Sequence, residues 1–122
     1  MVVSPHAAYL HLPFCRHHCG YCDYPVVAGR DELLPAFLEA LEIELAWLGE
    51  PRGVETLYLG GGTPSYLPLQ ALQQVVDSAR YWFPVQPGYE FTLEANPADL
   101  TPELVSQIAS WGVTRVVLGV QS

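Results

Sequence analysis

The sequence predicts an α/β fold in which short parallel strands alternate with helices. Short apolar and β-branched runs alternate with longer segments of helical periodicity, whose apolar residues fall on one face. Polar residues cluster directly after the strands, where parallel α/β folds build their sites. This alternation predicts a parallel sheet with right-handed crossovers and with helices on its outer face.

The first strand is predicted at residues 7–12, and the following segment, 14–30, is predicted to be a long functional loop. The first helix is predicted over 31–48, and Gly49 and Pro51, which follow it, are expected to end it. Its apolar stripe recurs at steps of three and four residues: Leu34, Leu38, Leu41, Leu45 and Leu48. We therefore expect this helix to pack its leucine face on the sheet.

The second strand is predicted at residues 54–59 and ends at the glycine run 60–62. Pro68 suits the first position of the second helix, and Pro84 closes that helix. The third strand is predicted at 89–95. These elements repeat the strand–helix order of the first unit.

A helix N-cap is predicted at Thr101, with Pro102 at the first helical position and Gly112 at the helix end. A β-branched fourth strand follows at 114–120. The sequence stops there without a covering helix, so we expect residues 1–122 to be the N-terminal portion of a longer chain.

Two further predictions concern side chains away from the motifs. Trp47, Tyr81 and Trp111 are predicted to pack in the core or along helix edges, because they lie on helices at core-like spacing. Arg115, at the start of the fourth strand, is predicted to pair with a helix carboxylate, at the end of the sheet away from the site.

The composition excludes several classes of function. The chain has 122 residues, of which 50% are hydrophobic and 15% charged, unlike a disordered chain. Its formal net charge is −8, so it lacks the basic surface with which proteins bind nucleic acid or anionic membranes. It contains neither an apolar run of the roughly 18 residues that span a bilayer nor a secretory signal. We predict a cytoplasmic protein without a transmembrane segment.

The cysteines predict a metal site. Cys15, Cys19 and Cys22 lie on one loop, and an odd, tight cluster is a poor disulfide framework. Three thiolates at this spacing can hold three irons of a cubic iron–sulfur cluster and leave the fourth iron open to a ligand. The spacing leaves a zinc-stabilised binding module as an alternative, with one histidine as the fourth ligand. The candidate histidines are His11, His17 and His18.

Four motifs resemble the radical S-adenosylmethionine (SAM) superfamily. The segment 9–22 holds Tyr-Leu-His-Leu-Pro-Phe-Cys and the other two cysteines, and it is followed by Gly-Gly-Gly-Thr-Pro-Ser at 60–65. Glu-Ala-Asn-Pro at 94–97 and Gly-Val-Gln-Ser at 119–122 complete the set. In this order they resemble the oxygen-independent coproporphyrinogen III oxidase-like branch of that superfamily.

The resemblance implies the first part of a TIM-type barrel and a [4Fe-4S] cluster held by Cys15, Cys19 and Cys22. It implies that SAM binds the open iron through its methionyl amine and carboxylate. The residues implied to contact SAM are Tyr9, Tyr21, Gly61, Gly62, Thr63, Glu94 and Gln121. Without the resemblance, the glycines could form a turn, and Glu94 could be an exposed strand-end charge. No residue is assigned a catalytic role.

One departure from the enzyme motif favours a subgroup. Coproporphyrinogen III dehydrogenases carry a further cysteine two residues after the third, where this sequence has Tyr24. The chain resembles instead the HemW-like heme chaperones, which implies heme or porphyrin as a ligand and a heme-acceptor protein as a partner. It also implies an electron donor such as flavodoxin or ferredoxin. The alternative is the dehydrogenase, an enzyme of porphyrin biosynthesis.

Overall fold

The computed structural model describes residues 6–15, 27–28 and 31–119. Within these residues the helices and strands alternate along the chain. They are β1 (Ala7–Leu12), β2 (Phe14–Cys15), β3 (Val27–Ala28), α1 (Leu34–Ala46), β4 (Val54–Gly61), α2 (Leu69–Trp82), β5 (Val85–Ala95), α3 (Pro102–Ser110) and β6 (Arg115–Leu118). None of the described helices is long and apolar enough to cross a bilayer.

Four strands form a parallel sheet in the order β1-β4-β5-β6. This confirms the predicted α/β fold. One row of directly paired residues crosses all four strands: Tyr9, Tyr58, Thr92 and Arg115. The short strands β2 and β3 pair in parallel as a separate sheet, inside a segment where the sequence predicts only a loop.

The two faces of the four-stranded sheet differ, because successive side chains of a strand point to opposite faces. One face is apolar and buried, and its residues are Leu10, Leu12, Leu57, Leu59, Phe91 and Leu93. Side chains of α1 and α2 pack against it, including Leu38 and Leu72. The opposite face, here called the polar face, consists of Tyr9, His11, Tyr58, Glu90, Thr92, Glu94 and Arg115.

The helix boundaries agree with the predictions to within three residues. A 3-10 turn precedes α1, which ends at Ala46 rather than at residue 48. Pro68 is the N-cap of α2 rather than its first helical residue. The Thr101 side chain accepts a hydrogen bond from the backbone N–H of Leu104 at 3.1 Å, which confirms the predicted N-cap of α3. Gly112 follows that helix with φ +86°.

Strand β5 begins at Val85, four residues before the predicted start. The pairing between β4 and β5 shifts register between Val54 and Thr56, which accommodates extra residues of β5. Pro87 and Gly88 lie in this irregular part, and Gly88 has φ +79°. These residues are typical of turns, which is why the sequence pattern places the strand start too late.

Two side-chain predictions are compared with the structure. Trp111 is buried in the core, whereas Trp47 and Tyr81 are 79% and 62% exposed and lie outside it. Tyr81 packs edge-on against Trp82 of the same helix, which agrees with the helix-edge alternative. Arg115 pairs with Glu90 of β5 at 3.2 Å, rather than with a helix carboxylate. Helical periodicity indicates which residues share a helix face, but it does not show whether another element covers that face. A single charge likewise does not show which carboxylate it pairs with.

Candidate functional site

The motifs meet at the carboxyl-end edge of the sheet. Gly60 and Gly61 are the last residues of β4, and Glu94 lies one residue before the end of β5. The backbone of Cys15 follows β1 in the short strand β2. Because all four strands are parallel, their carboxyl ends lie at one edge, where such folds place their sites.

The Glu94 carboxylate accepts hydrogen bonds on both of its oxygens. The Tyr58 hydroxyl donates to Oε2 at 2.7 Å, and the Gly61 backbone N–H donates to Oε1 at 2.9 Å. Glu94 is therefore a fixed acceptor at the ends of two neighbouring strands and not a free strand-end charge. Each oxygen retains a second lone pair with which it can accept a hydrogen bond from a ligand.

Tyr58 is a neutral donor in this network. Burial, together with the hydrogen bond to Glu94 and its negative charge, raises the pKa of Tyr58 to about 12. The ring of Tyr9 stacks on that of Tyr58, with centroids 5.4 Å apart and planes at 25°. Tyr9 is 54% exposed, and its hydroxyl lies 3.4 Å from Nδ1 of His11. The tyrosine pair thus presents an exposed aromatic ring beside the held carboxylate.

The glycine run is required by close contacts within the protein. A Cβ at Gly60 would lie 2.6 Å from Oε1 of Glu94, and one at Gly62 would lie 2.5 Å from the Phe14 carbonyl oxygen. At Gly61, φ is +117° and a Cβ would lie 2.8 Å from the His11 ring. Protein atoms therefore occupy the positions that side chains would take here, which explains the three glycines without reference to a ligand. The predicted contacts of Gly61 and Gly62 with SAM would be made by backbone atoms, and they remain predictions.

Backbone hydrogen bonds join the glycine run to the chain that leads into the cysteine segment. The Gly62 N–H donates to the Leu12 carbonyl at 2.8 Å, and the Thr63 N–H donates to the Phe14 carbonyl at 2.8 Å. These bonds continue the pairing of β1 and β4 past the sheet edge. They place the backbone of Cys15 next to the glycine run.

A second network joins the 3-10 turn that follows β4 (Pro64–Tyr66) to the turn after β5. The Ser65 hydroxyl donates to Oδ2 of Asp99 at 2.9 Å and accepts from the Asn96 N–H at 2.9 Å. Oδ1 of Asn96 in turn accepts from the Ala98 N–H at 3.0 Å. Ser65 and Asn96 belong to the sequence motifs without a predicted role, and Asp99 lies outside the motifs. The sequence signal for this network is that each of the three residues lies within two positions of a proline, which is typical of turns.

The structure brings together several of the predicted site residues. Tyr9 contacts Glu94 indirectly through Tyr58, and Gly61 contacts it directly. Tyr58 itself was missed, although strand alternation places it on the same face as Gly60, two residues further on. The predicted residues Cys19, Cys22, Tyr21 and Gln121, together with His17 and His18, lie outside the described residues.

The available donors fit the cluster and cofactor that the sequence predicts. Three thiolates are a typical ligand set for an iron–sulfur cluster. The described polar face adds a carboxylate acceptor, which suits the amine and hydroxyl donors of SAM. In residues 6–15, 27–28 and 31–119, no three potential metal-ligating residues converge, and two of the three cysteines lie outside that part.

Comparison with known families agrees with the motifs and the geometry. The family model described as the radical SAM superfamily matches residues 9–122. The chain belongs to the radical SAM superfamily. Membership implies SAM and a [4Fe-4S] cluster as the cofactors of its site.

Curated relatives of this radical SAM chain carry two names. A heme chaperone HemW from Lactococcus lactis is 39% identical over 122 residues, which is 100% of this chain and 32% of that protein. A heme chaperone HemW from Mycobacterium tuberculosis is 42% identical over 126 residues, covering 98% of this chain and 32% of that protein. An oxygen-independent coproporphyrinogen III oxidase from Bradyrhizobium diazoefficiens is 38% identical over 119 residues, covering 93% of this chain and 26% of that protein. The chain thus spans about a third of the length of these HemW relatives.

A solved structure confirms the radical SAM fold. The coproporphyrinogen III oxidase HemN from Escherichia coli, described as a radical SAM enzyme, matches with a TM-score of 0.82 and 29% identity. The match covers 97% of this chain and 28% of that one. The parallel sheet described above is therefore part of that α/β fold.

Proposed function

We propose that residues 1–122 are the N-terminal portion of a radical SAM core that holds a [4Fe-4S] cluster on Cys15, Cys19 and Cys22. Tyr9, Tyr21, Gly61, Gly62, Thr63, Glu94 and Gln121 are the proposed SAM contacts. The observation that supports this site is the double hydrogen bonding of Glu94 by Tyr58 and Gly61, beside the strand that leads to Cys15.

The described residues have distinct roles in this proposal. When bound, the reduced cluster supplies the electron that cleaves a C–S bond of SAM. Glu94 accepts hydrogen bonds from the ligand, and the exposed ring of Tyr9 offers an aromatic surface beside it. The N–H groups of Gly62 and Thr63 are engaged by the Leu12 and Phe14 carbonyls, so they fix the backbone that leads into Cys15.

The proposed activity of the whole protein is that of a HemW-like heme chaperone, which binds heme and passes it to an acceptor protein. Tyr24 supports this choice, because the dehydrogenase motif has a cysteine at that position. The names of the HemW relatives support it as well. The proposed setting is the cytoplasm, with a flavodoxin or ferredoxin as electron donor.

Oxygen-independent coproporphyrinogen III dehydrogenase is the second candidate. The 38% identical relative with the oxidase name and the HemN structure favour it. An anaerobic assay with SAM, reductant and coproporphyrinogen III separates the two functions. Heme binding without product formation supports the chaperone, whereas formation of protoporphyrinogen supports the enzyme.

Metal analysis tests the cluster itself. Protein purified without oxygen should contain about four irons and four sulfides per chain. Replacement of Cys15, Cys19 or Cys22 by Ala should remove the broad iron–sulfur absorbance. A single zinc without sulfide would contradict the proposal and favour the zinc-stabilised module.

A further inference from the structure

We propose that Tyr58 is a positioning residue for SAM, because its hydroxyl fixes the Glu94 carboxylate in the orientation that receives the ligand. This inference rests on the proposed function, in which Glu94 contacts SAM. It adds a residue that lies outside the four sequence motifs. The contacts of Glu94, the packing of Tyr58 and the charges on the polar face each support it.

The Glu94 side chain needs two anchors to be fixed. A glutamate has three rotatable side-chain bonds, and its last torsion has a broad energy minimum. The Gly61 N–H engages only Oε1, at 2.9 Å, which leaves the carboxylate able to turn about that contact. The Tyr58 hydroxyl engages Oε2 at 2.7 Å, and the two bonds together define the carboxylate plane.

Tyr58 is itself held by packing on two sides. Its ring stacks on Tyr9, the residue directly paired with it on β1, with centroids 5.4 Å apart. Its Cε1 atom lies against Gly60, where a Cβ would approach it to 2.6 Å. The direction of its hydroxyl is therefore set by the fold before any ligand binds.

The donors to Glu94 orient it without neutralising its charge. Tyr58 and the Gly61 N–H are both uncharged, so they leave the carboxylate with its formal negative charge. Arg115, a cation on the same polar face, instead pairs with Glu90 at 3.2 Å. A charged partner would compete with the ligand for the carboxylate, because charge-assisted hydrogen bonds are the stronger ones. Neutral anchoring suits a site that receives a cationic ligand or one with hydroxyl donors.

Equilibrium binding of SAM to the anaerobically reconstituted protein tests this role. The Kd is measured from the SAM-dependent change in the electron paramagnetic resonance spectrum, normalised to iron content. We expect Tyr58→Phe to raise the Kd about tenfold, the effect of losing a hydrogen bond to a charged group. Tyr89→Phe is the matched control, because it removes a 2.8 Å hydroxyl bond to the Gly112 carbonyl away from the site. We expect this control to change the Kd less than about twofold.

A double-mutant cycle with Glu94→Ala separates positioning from general stabilisation. In the Glu94→Ala background, Tyr58→Phe should change the Kd less than about twofold, because the group that it positions is gone. The spectrum of the reduced cluster without SAM should be the same in the parent, Tyr58→Phe and Tyr89→Phe proteins. An unchanged Kd in Tyr58→Phe, or an equal loss in the Glu94→Ala background, would overturn the role of Tyr58. A parent protein without any SAM-dependent change would instead refute the proposed function itself.

Discussion

The two faces of the parallel sheet are stabilised in different ways. On one face, leucines and Phe91 are almost completely buried against α1 and α2. On the polar face, side chains of neighbouring strands bond to each other, as Tyr58 does to Glu94 and Arg115 to Glu90. Apolar burial tolerates many equivalent residues, whereas the polar contacts depend on individual atoms. We therefore expect the largest losses of stability from changes on the buried face, and the proposed effects on SAM affinity from changes on the polar face.

The largest effect is expected on the buried face. Leu59→Ala should lower the free energy of unfolding by about 2–5 kcal/mol, because it leaves a cavity in the buried cluster to which Leu59 belongs. Leu59 is 0% exposed, whereas Leu118, on the same face of β6, is 47% exposed and provides a matched control. Leu118→Ala should cost clearly less in chemical denaturation. Equal losses at both positions would contradict the assignment of stability to the buried part of this face.

The next largest effect is expected where the glycine run meets the cysteine segment. A Cβ at Gly62 would lie 2.5 Å from the Phe14 carbonyl oxygen, so Gly62→Ala must displace the backbone next to Cys15. We expect a loss of about 1–3 kcal/mol in unfolding free energy, together with a lower iron content after reconstitution. Gly119→Ala is the control, because a Cβ there meets nothing within 4 Å. Normal stability and iron content in Gly62→Ala would show that this close contact is unimportant.

A smaller, pH-dependent effect is expected on the polar face. The folded-state pKa of Tyr58 is about 12, above the value of 10.0 of an unperturbed tyrosine. The folded chain therefore holds this proton more tightly than the unfolded chain does. The resulting stabilisation is complete below pH 10 and decreases as the pH rises towards 12. The stability difference between the parent and Tyr58→Phe should therefore be smaller at pH 11 than at pH 8 in urea unfolding. A constant difference would contradict the raised pKa.

The smallest effect is expected at the ion pair between Arg115 and Glu90. Their side chains are 53% and 47% exposed, and ion pairs in contact with solvent contribute about 0–1 kcal/mol. Arg115→Gln should therefore change the unfolding free energy by less than about 1 kcal/mol. Because Arg115 does not contact Glu94, the SAM affinity should also be unchanged. A large loss of affinity would show that the polar face acts as one coupled network.

The sequence predicts the buried face of the sheet better than the polar face. The order of strands and helices along the chain, the helix positions and the Thr101 cap follow from local periodicity and from residue types that favour helix ends. The bond between Tyr58 and Glu94 joins residues 36 positions apart, and it depends on the pairing of β4 with β5. The register shift between Val54 and Thr56 is part of that pairing, and no local pattern specifies it.

The candidate site follows the same division. Family motifs identify Glu94, Gly61 and Cys15, and the structure places them at one edge of the sheet. Tyr58 lies in no quoted motif, and its role emerges only from its hydroxyl contact. The contacts of Gly62 add a second reason for the glycine, because its missing side chain makes room for Phe14. Such contacts depend on how distant strands pair, which no local sequence pattern specifies.

The most direct test of the central claim is electron paramagnetic resonance of the reduced protein, reconstituted without oxygen, before and after addition of SAM. The account predicts a [4Fe-4S] signal that shifts when SAM is added, because in the proposed site SAM binds the iron that Cys15, Cys19 and Cys22 leave open. The Cys15→Ala protein should show neither the signal nor the shift. A cluster signal that SAM leaves unchanged, or a parent protein without any cluster signal, would contradict the account.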